Sequence, residues 1–457
     1  MSLPSGIQNG AVAGITDGGF GIFQDAAIED FLLANGTRYW HKIYMFGYEA
    51  IHEMSEIGKF FTKTFFNMTE TTKLYSYYQA CSEGGREGWS QVQRFAKQFD
   101  GAAIGAPAFR FAFQQVQHLY SNVVEKTLDY FPPPCELQKI VDETIIACDP
   151  LDGRTDGVVS RTDLCTMHYD ISAVEGMAYN CSASAGSSSS PATPAQTGTV
   201  SASAIAVAKK IFEGLHNSKG ERVYFTYTPS STFTDAQTAY NATSGTWELS
   251  VTSLGGSFVE VLLKLQNGTN LPNLDNVTYD RLETWIGDGW NEYNDVLMTN
   301  WPDLTPFKQA GGKVIHFHGE SDYSIPTASS VRYWEWVREI MFPNMTYNAS
   351  TEAINEFYRL FLVPGGSHCN VNSAEPNGPW PQTSLQNLIE WVEKDIVLVT
   401  LNGTVLQGEN NGQNQQICGW PLRPFLKENG TVLECVYDQT SINTWHYDLN
   451  AFDMPVY

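Results

Sequence analysis

The stretch Tyr77-Tyr78-Gln79-Ala80-Cys81-Ser82-Glu83-Gly84-Gly85-Arg86-Glu87-Gly88 decides the fold. Upstream, Leu74-Tyr75-Ser76-Tyr77-Tyr78 is short, aromatic and strand-like. Downstream, Trp89, Val92, Phe95, Ala96 and Phe99 recur at helical spacing. Ser82 therefore stands where a strand turns sharply into a helix, the setting of a nucleophile elbow. Such a turn lifts the hydroxyl off the end of a sheet. It also aims the next N–H groups, beginning with that of Glu83, at negative charge forming beside the serine. Gly84, Gly85 and Gly88 allow helix, strand and substrate to approach closely. Ala80 stands where the G-x-S-x-G pattern has its first glycine, and on these residues alone a Gly-rich turn with an idle serine is also possible.

Outward from the elbow, Gly101-Ala102-Ala103-Ile104-Gly105-Ala106-Pro107 reads as a buried strand ending in a loop. Before it, residues 39–66 read as one amphipathic helix with Ile43, Phe46, Ile51, Met54, Ile57, Phe60 and Phe61 along one side. Residues 1–20 are Gly-rich and open without a clear first element. Strand, elbow, helix, strand is the alternation of a parallel sheet with helices packed on it. The alternation stops over residues 108–295, which hold four cysteines and a Ser-, Ala-, Thr- and Pro-rich tract at 182–203. Such a tract is expected to be a flexible or protease-sensitive loop. The alternation returns with a strand at Lys313–Gly319, a loop through Asp322, a helix through Trp334, Trp336, Ile340 and Met341, and a strand over residues 357–363. That strand ends in Pro364-Gly365-Gly366-Ser367-His368-Cys369, and residues 383–394 form a last amphipathic helix. The expected organisation is an α/β catalytic domain in two parts, 1–107 and 296–457 with a tail, interrupted by a lid domain at 108–295.

The 457 residues are 42% hydrophobic and 13% aromatic, a globular composition. A formal charge of −23 suits neither nucleic acid nor an anionic membrane. No apolar run is long enough to span a bilayer. Sequons at Asn35, Asn67, Asn180, Asn241, Asn267, Asn276, Asn344, Asn348, Asn402 and Asn429, with an even number of cysteines, point to a secreted chain carrying N-linked glycans. The opening Met1-Ser2-Leu3-Pro4-Ser5-Gly6 is no leader, so the true N-terminus is expected upstream.

Ser82, Asp322 and His368 each follow a strand, in the chain order of α/β-hydrolases. In that reading His368 takes the serine proton and returns it to a leaving alcohol, while Asp322 fixes the imidazole tautomer. Singly, an Asp in such a loop is an ordinary turn residue and a His beside a Gly pair an ordinary exposed one. Cys81 precedes the serine and Cys369 follows the histidine. If the two catalytic side chains meet, these sulfurs are natural partners; otherwise each pairs elsewhere or is free and buried.

Cys148-Asp149-Pro150-Leu151-Asp152-Gly153-Arg154-Thr155-Asp156-Gly157-Val158 spaces three carboxylates over one small loop. It suits calcium, which takes many oxygens, but it is not an EF-hand, and a solvated acidic turn has the same composition. Cys148 and Cys165 bracket it. Cys418 and Cys435 would close a tail loop, which leaves Cys135 and Cys181 by elimination. His316 and His318, two apart on a strand, lack a third metal ligand and read as buried, hydrogen-bonded histidines. Asp288 reads as a turn residue.

Cys81-Ser82, Asp322 and His368-Cys369 together resemble the CS-D-HC motif of the fungal tannase and feruloyl esterase family. The resemblance covers most of the chain and is nearest from Tyr75 to Phe111 and from Pro132 to Cys165. The run from Cys81 to Phe95 and Gly105-Ala106-Pro107-Ala108-Phe109-Arg110 look like the tannase branch. The resemblance implies an α/β-hydrolase fold with a large inserted lid and a catalytic Ser82, Asp322 and His368. It further implies a bond between Cys81 and Cys369, and a secreted, glycosylated protein. It also implies a structural calcium held by Asp149, Asp152, Asp156 and the carbonyls of Arg154 and Val158, with no organic cofactor. The family carries a Gly-rich loop before the elbow that has no counterpart here, so the sheet is expected to lack its N-terminal strands and the oxyanion hole a donor. The implied activity is hydrolysis of galloyl esters of tannins. The alternatives are a feruloyl esterase acting on cell-wall hydroxycinnamate esters, and an inactive, calcium-stabilised relative that binds polyphenol or glycan. Methyl gallate and methyl ferulate would separate the two esterases.

Overall fold

The computed structural model describes residues 2–18, 28–186, 192–428, 430–453 and 455–457. Its centre is a parallel sheet of β1 (Tyr77–Cys81), β2 (Gly101–Gly105), β3 (Lys313–Gly319) and β4 (Tyr358–Val363), paired in that order. Cys81 lies opposite Gly105, Gly105 opposite Phe317 and Phe317 opposite Phe361. This register brings the C-terminal ends of the strands to one rim, and Ser82, Asp322 and His368 follow three of them.

Side chains alternate across the sheet with period two. Ala102, Ile104, Val314, Tyr358, Leu360 and Leu362 share an apolar cluster with Ile51 of α1 (Ala50–Phe65), Trp89 of α2 (Glu83–Arg94) and Trp334 of α3 (Ala328–Met341). Ala103, Ile315, Phe317, Phe361 and Val363 face Leu385, Leu388 and Trp391 of α4 (Ser384–Lys394). Each large apolar side chain so buried contributes roughly 1.5–3 kcal/mol. The regular elements between β2 and β3 are mostly helices, with hairpins Ala178–Cys181 with Gln196–Thr199 and Thr238–Asn241 with Thr246–Leu249. It shares one apolar cluster with the sheet, running from Ile104 and Trp334 out to Phe225 and Phe258.

Several elements differ from the sequence reading, each for a local reason. Residues Ser2–Gln8 form a helix where no first element was expected. β1 begins at Tyr77 rather than Leu74, because its partner begins at Gly101 and the Asp100 carboxylate takes the Ser76 N–H at 2.8 Å. The helix over 39–66 is interrupted by a π-turn at Met45–Glu49. A π-turn releases carbonyls. Buried Arg86 donates to those of Phe46 and Gly47 at 2.9 Å each, and Gln91 to that of Tyr48 at 3.0 Å. Ile43 and Ile51 are buried, but Ile57, Phe60 and Phe61 face solvent, so the apolar stripe is only half used. Asp288 lies inside the helix Tyr279–Tyr293, not in a turn. The tract at 182–203 is ordered in its second half. Gln196–Thr199 pairs in a hairpin, and Ser201 Oγ accepts the Ala204 N–H at the start of the helix Ala202–Glu213. Residues 187–191 of the tract and the sequon at Asn429 lie outside the described residues.

Candidate active site

Ser82 sits between β1 and α2 with φ 64° and ψ −123°. A positive φ at a non-glycine residue is strained and persists only where the surroundings enforce it. Here Ser82 N–H donates to Gly105 O at 3.0 Å, and Ser82 O accepts from Arg86 N–H at 3.0 Å. Close packing requires small residues behind the turn. A Cβ on Gly85 would lie 2.6 Å from the Gly105 carbonyl oxygen. A Cβ on Gly84 would lie 2.8 Å from that of Ala80. Ala80 is thus tolerated in place of the usual glycine because its opposite neighbour, Gly84, has no side chain. Glu83 is the first residue of α2, so its N–H has no acceptor within the helix.

The three residues singled out in the sequence meet at the rim. His368 Nε2 is 2.8 Å from Ser82 Oγ, and His368 Nδ1 is 2.9 Å from Asp322 Oδ2. The other carboxylate oxygen, Oδ1, accepts N–H bonds from Ser324 at 2.8 Å and Ile325 at 2.9 Å. Burial pushes the Asp322 carboxyl up, but the charge of His368 and hydrogen bonds from His318 and His368 outweigh it and hold it well below the carboxylate range. Burial pushes His368 down, while the charge and hydrogen bond of Asp322 and the charge of Asp235 carry it above its ordinary value. The Tyr323 ring packs edge-on to the imidazole, centroids 6.1 Å apart.

Disulfides join Cys81 to Cys369, Cys135 to Cys181, Cys148 to Cys165 and Cys418 to Cys435. The first ties the residue before the serine to the residue after the histidine. His316 and His318 are fully buried and hydrogen-bonded.

In the acidic loop, Asp149 accepts the N–H groups of Asp156 and Gly157 at 3.0 and 2.8 Å, and Asp152 accepts that of Arg154 at 2.9 Å. Arg154 also pairs with Asp156. Among the described residues, no three His, Cys, Asp or Glu side chains gather as a metal site. Asp152 Oδ2 and Asp156 Oδ1 are nevertheless buried without a partner. Burial raises both carboxyls, that of Asp152 to about 6. Two orphaned anionic oxygens fit a hard cation.

Sequence reasoning missed two groups near the site. Asp235, whose charge reaches His368, comes from the segment between β2 and β3 and is held by His118 at 2.8 Å and Tyr227 at 3.0 Å. Arg423 comes from the tail and binds Glu320, two residues before Asp322, at 2.6 Å, and Asp163 at 3.2 Å. No local pattern marks either. The capture of π-turn carbonyls by Arg86 was equally hidden, although its pairing with Glu83 three residues earlier on one helix is a readable spacing.

A strand-end serine, a loop carboxylate and a loop histidine in line on a parallel sheet define an α/β-hydrolase. Comparison with known proteins narrows this. The family model described as "Tannase and feruloyl esterase" matches residues 1–442. A tannase from Aspergillus oryzae is 48% identical over 472 residues, covering 99% of this chain and 80% of that protein. A probable feruloyl esterase from Arthroderma benhamiae is 27% identical over 441 residues, covering 95% and 76%. Among solved structures, a tannin acyl hydrolase from Aspergillus niger superposes with a TM-score of 0.96 at 61% identity, covering all of this chain and 81% of that one. Feruloyl esterase B from Aspergillus oryzae gives 0.67 at 25% identity, covering 88% and 76%. The chain belongs to the tannase and feruloyl esterase family and is a carboxylic ester hydrolase.

Proposed function

We propose that this chain hydrolyses galloyl esters of tannins through Ser82, His368 and Asp322. The observation that carries the reading is the assembled Ser82–His368–Asp322 line in a chain 61% identical to a tannin acyl hydrolase. Ser82 Oγ attacks the ester carbonyl carbon as His368 Nε2 accepts its proton. The negative charge on the carbonyl oxygen faces the N–H of Glu83 at the start of α2. The C–O bond to the alcohol breaks, the alcohol leaves with the proton from His368, and the acyl group remains on Ser82. Water then attacks the acyl-enzyme, His368 again takes and returns a proton, and the phenolic acid is released. Asp322 keeps Nδ1–H directed at itself throughout, so Nε2 faces the serine.

Feruloyl esterase activity is the second reading, because the family includes both. The two feruloyl esterases compared above stand at 25% and 27% identity, against 48% and 61% for the tannase and the tannin acyl hydrolase. The test is kcat/KM on methyl gallate against methyl ferulate. A clear preference for gallate is expected; equal or reversed preference removes the tannin assignment. The third reading, an inactive calcium-stabilised relative that binds polyphenol or glycan, is excluded by hydrolysis that Ser82→Ala abolishes.

The acidic loop is read as a structural calcium site held by Asp149, Asp152 and Asp156 with the carbonyls of Arg154 and Val158, the free oxygens being Asp152 Oδ2 and Asp156 Oδ1. A bound calcium would supply positive charge to two buried carboxylates; it has no part in the ester chemistry. Secretion and glycosylation are supported by the four disulfides, which need an oxidising compartment. Of the sequon asparagines within the described residues none is buried; Asn241 and Asn402 are half-buried and the others exposed. Among the described residues no helix is long and apolar enough to cross a membrane.

A further inference from the structure

A second line of hydrogen bonds ends on the catalytic carboxylate. Tyr358 OH lies 2.8 Å from His316 Nδ1, His316 Nε2 lies 2.9 Å from Ser330 Oγ, and Ser330 Oγ lies 2.6 Å from His318 Nδ1. His318 Nε2 then lies 3.1 Å from Asp322 Oδ2 and 3.0 Å from the Ile325 carbonyl oxygen. All four donors of the line are fully buried.

The Asp322 end fixes the direction. A carboxylate and a carbonyl only accept, so His318 Nε2 carries a hydrogen. With a single ring proton His318 accepts at Nδ1 from the Ser330 hydroxyl; the Nε2–H turned to Asp322 is present in either protonation state. That spends the single Ser330 proton, so Ser330 Oγ accepts from His316 Nε2–H. His316 Nδ1 is left to accept from the Tyr358 hydroxyl. Burial keeps His316 well below its ordinary value and the Tyr358 phenol well above its own, so both stay neutral. In that state the line runs from Tyr358 to Asp322, and its last bond, from His318 Nε2–H to Asp322 Oδ2, does not depend on it.

We propose that His318 is a positioning residue for the reaction, its Nε2–H setting the placement of Asp322 Oδ2, the oxygen that holds His368. The proposal rests on the reading of Ser82, Asp322 and His368 as the catalytic triad. Asp322 Oδ1 is occupied by two amides, so Oδ2 alone is divided between two imidazoles. Without the His318 donor, Oδ2 turns wholly to His368 and holds its proton more tightly. His368 then remains protonated to a higher pH, and the Asp322 carboxylate, short of one of its two imidazole donors, loses its defined orientation. The ionisable groups around the line are His316 on β3, Tyr358 on β4, Asp322 and His368, and Asp235 and Tyr227 from the segment between β2 and β3. Of these last two, Asp235 acts on His368, and Tyr227 feels Asp322.

The test is the pH dependence of kcat and KM on methyl gallate for three variants. In His318→Phe the acid limb of kcat/KM moves up by about 0.5–1 pH unit. Its plateau kcat falls about tenfold or more with KM within about twofold. His318→Gln restores an N–H at the Nε2 position and returns the limb to within about 0.2 unit of the wild type. Ser330→Ala, which does not touch Asp322, moves the limb upward by a smaller amount. A folded His318→Phe enzyme with an unmoved limb, or a His318→Gln enzyme as impaired as it, overturns the proposal. If His318→Phe does not fold, an unmoved limb in Ser330→Ala overturns it. Activity that survives Ser82→Ala instead removes the triad reading itself, a result these limbs do not mimic.

Discussion

The Cys81–Cys369 bridge closes a loop with a sequence separation of 288, and the double variant Cys81→Ala/Cys369→Ala removes it. Chain entropy assigns such a loop about 5–6 kcal/mol, against about 3 kcal/mol for a loop of about 17 residues. The bridges Cys148–Cys165 and Cys418–Cys435 both have a separation of 17. Bridges nested inside the long loop shorten it, but the dependence is logarithmic and the shortening changes little. The double variant should therefore lose more unfolding free energy than removal of either short bridge, read from urea midpoints and slopes followed by fluorescence. The bridge also bears on chemistry, because its sulfurs flank the nucleophile and the base. Other bonds still hold the histidine loop: Ser321 N–H donates to Gly366 O at 2.9 Å and Ser367 N–H to Asn370 O at 3.0 Å. The variant should then fold, with KM unchanged and kcat lower by about tenfold or more through drift of His368 from Ser82. A double variant with wild-type kcat, or one less destabilised than the Cys148→Ala/Cys165→Ala enzyme, refutes the reasoning.

Three further outcomes are expected. Arg423→Leu leaves Glu320 and Asp163 buried without their shared cation. It should cost roughly 3–5 kcal/mol of unfolding free energy in a denaturant titration. Asp235→Asn removes a charge that raises His368, so the acid limb of kcat/KM, which needs neutral His368, should move down by about half a pH unit. The pairing contribution of His368 to stability has the opposite sign: it is present below the unfolded value and lost as pH rises through the raised folded one. For Asp152, raised by burial to about 6, the folded state holds a proton that the unfolded state has lost, so without calcium stability falls as pH rises from about 4 to 6. Calcium should therefore raise the melting temperature at pH 7 and hardly at pH 4, and Asp152→Asn should abolish the response; an equal response at both pH values counts against the site.

The site was legible because its parts are local. An elbow, a post-strand Asp and a post-strand His each leave a short mark, and flanking cysteines tie two of the marks together. Strand β2, an unbroken run of small and apolar residues, and β3, carried by Val314, Ile315 and Phe317, were equally plain. What stayed hidden depends on partners far away in sequence. β1 starts where Gly101 lets it pair, not where aromatics begin. The helix over 39–66 breaks into a π-turn because Arg86 and Gln91 donate to its freed carbonyls. Asp149, one carboxylate of an acidic loop, spends its oxygens on the backbone around it, which composition does not reveal. His316 and His318 were placed correctly as buried and hydrogen-bonded, but the direction of their bonds appears only once Ser330 and Ile325 are in place.

Gallate release from methyl gallate by Ser82→Ala, beside the wild type at equal folded concentration, bears most directly on the claim that three loops at one sheet rim cleave an ester. Removing the hydroxyl 2.8 Å from His368 should leave no turnover above buffer while the fold is kept. Turnover within tenfold of the wild type would mean that the reacting carbon lies elsewhere.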